Sequence, residues 1–190
     1  QYSRFRISES IENLEKAVAL EPNFAVAWDR LGNSYLVSAS TLYGGTDFYE
    51  KAEKAFRKSI SLDSQNVSPQ NHLADLLIET NQKEKAIEIL QKSLETEPED
   101  PNAWWEMSYA YRYAGRLEKS IEAGEKAHQV DQGFYLNASV PSYYLYVGEY
   151  QKFKNAISRR TDSSYIKFYQ GFAEYHLNNK DAAKQLFDEA

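Results

Sequence analysis

The sequence predicts an all-α chain built from repeated helix pairs, and three observations carry that prediction. Gly and Pro are scarce, 8 and 5 among 190 residues, and fall at intervals between runs of good helix formers. The stretch Trp28-Asp29-Arg30-Leu31-Gly32-Asn33-Ser34-Tyr35 sets a large aromatic, a Leu-Gly pair and a Tyr at helical spacing, as the first helix of a pair requires. The stretch also recurs in imperfect copies. Trp104 stands 76 residues after Trp28, which equals two units of about 34 residues plus an insertion of about eight.

Residues 1–24 read as the second helix of a pair, with Ser10, Leu14, Ala17 and Pro22 in register and Ile11, Val18 and Leu20 extending the apolar stripe. The partner helix would lie upstream, so the chain is expected to be a piece of a longer one. Residues 25–66 form the first complete repeat. Trp28, Leu31, Gly32 and Tyr35 mark its first helix, and Ala52, Phe56, Ser59 and Leu62 its second. The insertion falls around residues 38–46, where Gly44-Gly45 should break the helix.

Residues 67–100 are of standard length. Ser68-Pro69 supplies a capping hydroxyl and a residue suited to the first helical turn, and Leu73, Ala74, Ala86, Leu90, Ser93 and Pro98 hold the register, although Gln70 replaces the early aromatic. Residues 101–134 follow with Asp100 as cap, Pro101 as opener, and Trp104, Met107, Ser108, Tyr111 and Gly115 in place. Their second helix carries Ser120, Gly124 and Ala127, small residues that let two helices approach closely. Residues 135–163 are degenerate: Phe153 and Arg160 replace small residues, and Gly148 comes one position early. Residues 164–190 form a last partial pair with Gly171, Ala183, Phe187 and Ala190 in register.

Composition narrows function by exclusion. With 28 acidic against 22 basic residues the net charge is -6, which disfavours a general nucleic-acid binder, and the longest basic run is Arg159-Arg160. The absence of Cys excludes disulfides, thiolate chemistry and Cys-ligated zinc, and fits a cytoplasmic location. No apolar run approaches the ~18 residues of a membrane span. His72, His128 and His176 lack ligand spacing, and Gly44-Gly45 lacks the Lys-Ser/Thr of a phosphate loop. Acidic residues mixed with Lys, as in Glu84-Lys85 and Glu118-Lys119, read as a solvated face. No enzyme activity, metal or cofactor is expected.

The recurring stretch and its spacing resemble the tetratricopeptide repeat (TPR) family over nearly the whole chain, best in residues 25–66 and 101–134. The resemblance implies a right-handed α-solenoid of antiparallel helix pairs, about eleven helices in this length, whose first helices line a concave groove that commonly holds a peptide or a partner helix. The segment from Glu15 to Trp28 is similar to TPR tails of bacterial multidomain signalling proteins. One TPR subclass holds acidic chaperone C-termini in a carboxylate clamp. The corresponding positions here are Asp29, Asn33, His72, Asn102 and Glu106; only Asn33 matches, and Asp29 and Glu106 would repel a carboxylate. No such clamp is expected.

At roughly 100° per residue, the positions of each first helix that are not core fall together on the opposite face. The groove candidates are Asp29 and Asn33 in the first repeat, Asn71 and Asp75 in the second, and Trp105, Tyr109, Arg112 and Tyr113 in the third. Ser142 and Tyr146 follow in the fourth, with Tyr135, Ala138 and Leu145 beside them. The groove is therefore expected to be polar and acidic at one end and aromatic at the other. Trp28, Tyr35, Trp104 and Tyr111 are assigned to packing, whereas Trp105 and Tyr109 fit either a partner contact or packing between repeats. In the last pair the strict register makes Phe168, Phe172 and Tyr175 groove residues and Lys167, Gln170 and Glu174 core. A one-residue shift, which buries the aromatics, is the preferred reading. The function expected is a non-catalytic scaffold for a protein or peptide partner. The alternatives are a spacer or self-association module joined through bare solenoid ends, and a small-ligand sensor at the aromatic end.

Overall fold

A computed structural model describes residues 2–42, 45–133, 141–158 and 163–190. Among the described residues the regular structure is eleven helices and no strand, the all-α solenoid class expected from the sequence. The chain divides into two units, Gln1–Pro98 and Glu99–Ala190. Tyr135, Ala138, Tyr43, Gly44 and Arg159-Arg160 lie outside the described residues.

In the first unit, α1 (Tyr2–Leu20) packs on α2 (Ala25–Leu42), which pairs with α3 (Thr46–Leu62). Helix α3 also packs on α4 (Ser68–Glu79), which pairs with α5 (Lys83–Thr96). The pairs are antiparallel: Ser59, late in α3, donates its Oγ–H to the carbonyl of Ala25 at the start of α2, at 2.8 Å. Gly45 precedes α3 with φ 75°, a left-handed conformation that a side chain would strain, so the expected helix break falls at that residue.

Close approach of α2 and α3 depends on Gly32. A Cβ at that position would lie 2.6 Å from the ring of Phe56, which is fully buried. Phe56 is the centre of this pair. Trp28, expected to be core, is only partly buried, because its indole lies over the α1–α2 turn and donates Nε1–H to the carbonyl of Pro22 at 2.9 Å. Tyr35 is buried as expected, and its hydroxyl donates to Glu15 on α1 at 2.5 Å.

The second unit contains α6 (Pro101–Tyr113), α7 (Leu117–Val130), α8 (Tyr143–Tyr146), α9 (Tyr150–Ala156), α10 (Ser164–His176) and α11 (Lys180–Asp188). Asp100 caps α6 as expected, accepting from the Asn102 N–H at 2.9 Å. Helices α6 and α7 are locked by a reciprocal pair, Ser108 Oγ–H to the Ser120 carbonyl at 2.7 Å and Ser120 Oγ–H to the Ser108 carbonyl at 2.8 Å. Both serines are buried, so the exchange satisfies polar groups that water cannot reach.

Four turns within helix pairs close in one way. Asn81, Gly115, Gly148 and Asn178 all adopt positive φ, between 61° and 78°. The N–H after each reaches back five residues: Gln82 to Leu77, Arg116 to Tyr111, Glu149 to Tyr144 and Asn179 to Glu174. This satisfies a carbonyl that the helix end leaves open, and only Gly, or Asn at modest cost, suits the position.

Departures from the repeat are filled by larger side chains. Phe153, standing where a small residue was expected, is fully buried beside Ile157 and Ile166. Gly124 leaves room for the ring of Tyr143, which a Cβ would meet at 2.1 Å. Gly124→Ala gains at most ~1 kcal/mol of helix propensity, but Tyr143 is itself buried and cannot move aside freely. Net destabilisation of ~1–3 kcal/mol is therefore expected in urea unfolding.

The last pair corrects the sequence reading. Phe168 and Tyr175 are not core; they are 51% and 57% exposed. The strict register holds because Gly171 packs against Phe187, with 2.8 Å from a built Cβ to the ring, while Ile166 and Ala173 turn inward. The charged residues at nominal core positions find partners instead. Lys167 pairs with Glu189 at 3.2 Å, and Glu174 with Lys154 at 2.5 Å.

Candidate partner-binding groove

The second unit gathers three tyrosine rings around one cation, Arg112. Tyr109, Arg112 and Tyr113 occupy the last turns of α6 at helical neighbour spacings, so their side chains rise from one face. A cation near a helix C-terminus also meets the negative end of the helix dipole. The Arg112 guanidinium carbon lies 4.2 Å from the ring centroid of Tyr109, 5.2 Å from Tyr113 and 4.9 Å from Tyr146. All three fall within the ~6 Å at which a cation is attracted by a ring face. Arg112 Nη1–H also donates to Ser142 Oγ, which fixes the fork against α8.

Beside this cluster is a hollow of about 370 Å³ lined by Ser142, Leu145, Tyr146, Phe168, Tyr169 and Phe172. Tyr113 and Tyr146 are 56% and 63% exposed, and Phe168 continues the uncovered aromatic surface. Contiguous exposure of this kind is unusual on a soluble surface and marks an interaction site more often than chance does. Sequence reasoning missed Phe168 and Phe172 by preferring the shifted register. Gly171, with Ala183 and Phe187 in register, carried the signal that would have found them.

Trp105 stands apart from its neighbours. It is 6% exposed and lies in the core, its ring 5.5 Å from Tyr109 and 6.3 Å from Tyr143. The structure thus brings Tyr109, Arg112, Tyr113, Ser142 and Tyr146 together at the surface and places Trp105 beneath them.

In the first unit the candidate residues are mostly engaged internally. Asp29 is buried and accepts from Ser68 Oγ at 3.1 Å and is paired with His72 Nδ1 at 2.8 Å. Asn71 is buried and accepts from Ser93 Oγ at 2.8 Å. Asn33 is partly buried. Asp75, also partly buried, has its carboxyl pushed up to about 6, first by burial and then by the nearby Glu79 carboxylate, with His72 acting in the opposite sense. Glu79 is held by Ser40 at 2.7 Å and Tyr49 at 2.9 Å.

Asp75 has a consequence for stability. Its folded value, about 6, exceeds the ordinary 3.8, so the folded chain binds the proton more tightly than the unfolded one. Stability from this group is present below about pH 4 and lost as pH rises to about 6. Asp75→Asn should therefore be more stable than the parent by roughly 1–3 kcal/mol at pH 7, with the difference vanishing near pH 4. Denaturant unfolding of both proteins across that range measures it.

Among the described residues no helix is long and apolar enough to cross a membrane. Successive antiparallel helix pairs define a helical-repeat fold. Residues 49–108 match the family model described as tetratricopeptide repeat. Among solved structures, PilF of Pseudomonas aeruginosa is similar at 15% identity and TM-score 0.74, over 97% of this chain and 83% of that one. A thermophilic TPR protein of Thermus thermophilus is similar at 15% identity and TM-score 0.64, over 83% and 76% of the two chains. YrrB, described as a TPR protein with an unusual peptide-binding site, is similar at 17% identity and TM-score 0.51, over 98% and 77%. Compared with curated proteins, the sequence finds no match. Residues 49–108 thus carry tetratricopeptide repeat sequence, and the chain shares its fold with solved TPR proteins.

Proposed function

We propose that the chain is a non-catalytic cytoplasmic scaffold that holds an extended or helical segment of a protein partner in the aromatic groove of its second unit. The observation that carries this reading is the pair of exposed rings, Tyr113 and Tyr146, set around Arg112 beside an open apolar hollow. Rings held by a neighbouring cation are already ordered, so binding loses little side-chain freedom there. Tyr and Arg are also the residue types that most often dominate interface energies. The peptide-binding site named for the similar TPR protein YrrB supports the same reading.

Peptides selected by display against the whole chain test the proposal. Tyr113→Ala and Tyr146→Ala should each weaken the selected peptides about tenfold or more, on the scale of a hot-spot loss. Phe24→Ala, on an exposed residue of the first unit, should leave them unchanged. Unaltered affinity in both tyrosine variants, with helicity intact by circular dichroism, would remove the groove from consideration. If the rings instead joined copies of this chain, light scattering would report a dimer that Tyr146→Ala converts to monomer.

A further inference from the structure

We infer that this groove takes an acidic segment bearing one bulky apolar side chain, with its carboxylate on Arg112 and the apolar group in the hollow beside Tyr146. The inference rests on reading the groove as a partner site and adds the chemistry of the partner.

The hollow specifies the apolar half. Among the described residues Leu145, Tyr146, Phe168, Tyr169 and Phe172 line it and Ser142 contributes its polar edge, and none of these carries a charge. Its volume of about 370 Å³ is at the lower end of the range for small-ligand sites, a size that suits a single large side chain.

Arg112 specifies the charged half. A guanidinium has five N–H donors and no acceptor. Among the described residues, Arg112 donates to Ser142 and no carboxylate pairs with it. The rings of Tyr109 and Tyr146 lie within cation–π distance of the guanidinium carbon, and the donors beyond the one given to Ser142 suit a planar two-oxygen acceptor, which is a carboxylate. Ser142 touches both features: it accepts from Arg112 and lines the hollow. The charge and the apolar group must therefore be close neighbours on the partner. A basic segment would meet the same cation at the rim. So would a quaternary ammonium group, the other occupant that a ring-lined hollow suits. This arrangement is unrelated to the clamp positions Asp29, Asn33, His72, Asn102 and Glu106.

Three matched sets of short peptides provide the test, each with a fixed Phe or Leu flanked on both sides by Glu, by Gln or by Lys. Binding to the whole chain is followed by fluorescence anisotropy of a labelled peptide. The Glu set should bind about tenfold more tightly than the Gln set, as expected for a charge-assisted hydrogen bond, and the Lys set more weakly than either. The Glu preference should shrink as salt is raised. Arg112→Gln should abolish the preference for Glu over Gln while keeping residual binding of both. Arg112→Lys should retain part of the preference, because the charge remains without the planar fork. Tyr146→Ala and Phe168→Ala should weaken both sets together.

Equal binding of the Glu and Gln sets, still weakened by Tyr146→Ala, overturns the acidic partner and leaves the groove reading intact. Binding of the Glu set that is untouched by Tyr146→Ala and Phe168→Ala overturns both. No detectable binding of the Glu set at millimolar concentration overturns the inference outright.

Discussion

Trp105→Ala should cost the chain ~3–5 kcal/mol of stability and act on partner binding only through that loss. The indole is 6% exposed, with the rings of Tyr109 and Tyr143 at 5.5 and 6.3 Å. Truncation removes a large buried surface and leaves a cavity bounded by Tyr143, itself a buried core residue that cannot collapse freely. Aromatic pairs add contacts that an aliphatic replacement does not restore, so Trp105→Phe should lose clearly less than Trp105→Ala. Urea unfolding gives the stabilities. Affinity of selected peptides, measured where each variant remains folded, gives the second readout and should stay near that of the parent. A variant of full stability with lost affinity would show instead that Trp105 meets the partner directly.

Trp105 also shows where sequence reading stops. Helical periodicity places it on the face shared with Tyr109 and Tyr113, yet a face is not a depth. Tyr143 comes across from α8 to pack on it, and a four-residue helix in a degenerate repeat gives no periodic signal. The packing code itself was legible: Gly32, Gly124 and Gly171 each meet an aromatic ring that a Cβ would obstruct. Turn chemistry was half legible, because Gly115 and Gly148 announce left-handed turns while Asn81 and Asn178 occupy the same conformation without the conspicuous residue.

The acidic end shows a second limit. Asp29 and Asn71 share the non-core face by register, but each is buried and bonded to a neighbouring helix, Asp29 to α4 and Asn71 to α5. A polar side chain on the groove face can serve packing when the next helix supplies its hydrogen bonds, and only the partner's position reveals that. In the last pair, register alone named Phe168 and Phe172 as groove residues. Their apolar character argued for burial, and the salt bridges that settle Lys167 and Glu174 depend on residues distant in sequence.

Phe56→Ala is the other substitution of large effect, expected at ~3–5 kcal/mol and near the upper end of that range. The ring is fully buried and rests on Gly32, which has no side chain to move into the space. It also contacts His72, with ring centroids 5.6 Å apart, and His72 is paired with Asp29 at 2.8 Å, so the loss reaches the α2–α4 contact. A double-mutant cycle separates cavity from clash. Gly32→Ala alone should destabilise, because 2.6 Å to the ring outweighs a propensity gain of at most ~1 kcal/mol. In the Phe56→Ala background the same change has space, part-fills the cavity and keeps the propensity gain, so it should stabilise. The two sites should therefore couple by ~1–3 kcal/mol. Trp28→Ala, at a partly buried ring over a turn, should cost less than Phe56→Ala. Additive behaviour at positions 32 and 56, with Trp28→Ala the costlier change, would mean that the indole and not the phenyl ring fills the space between α2 and α3.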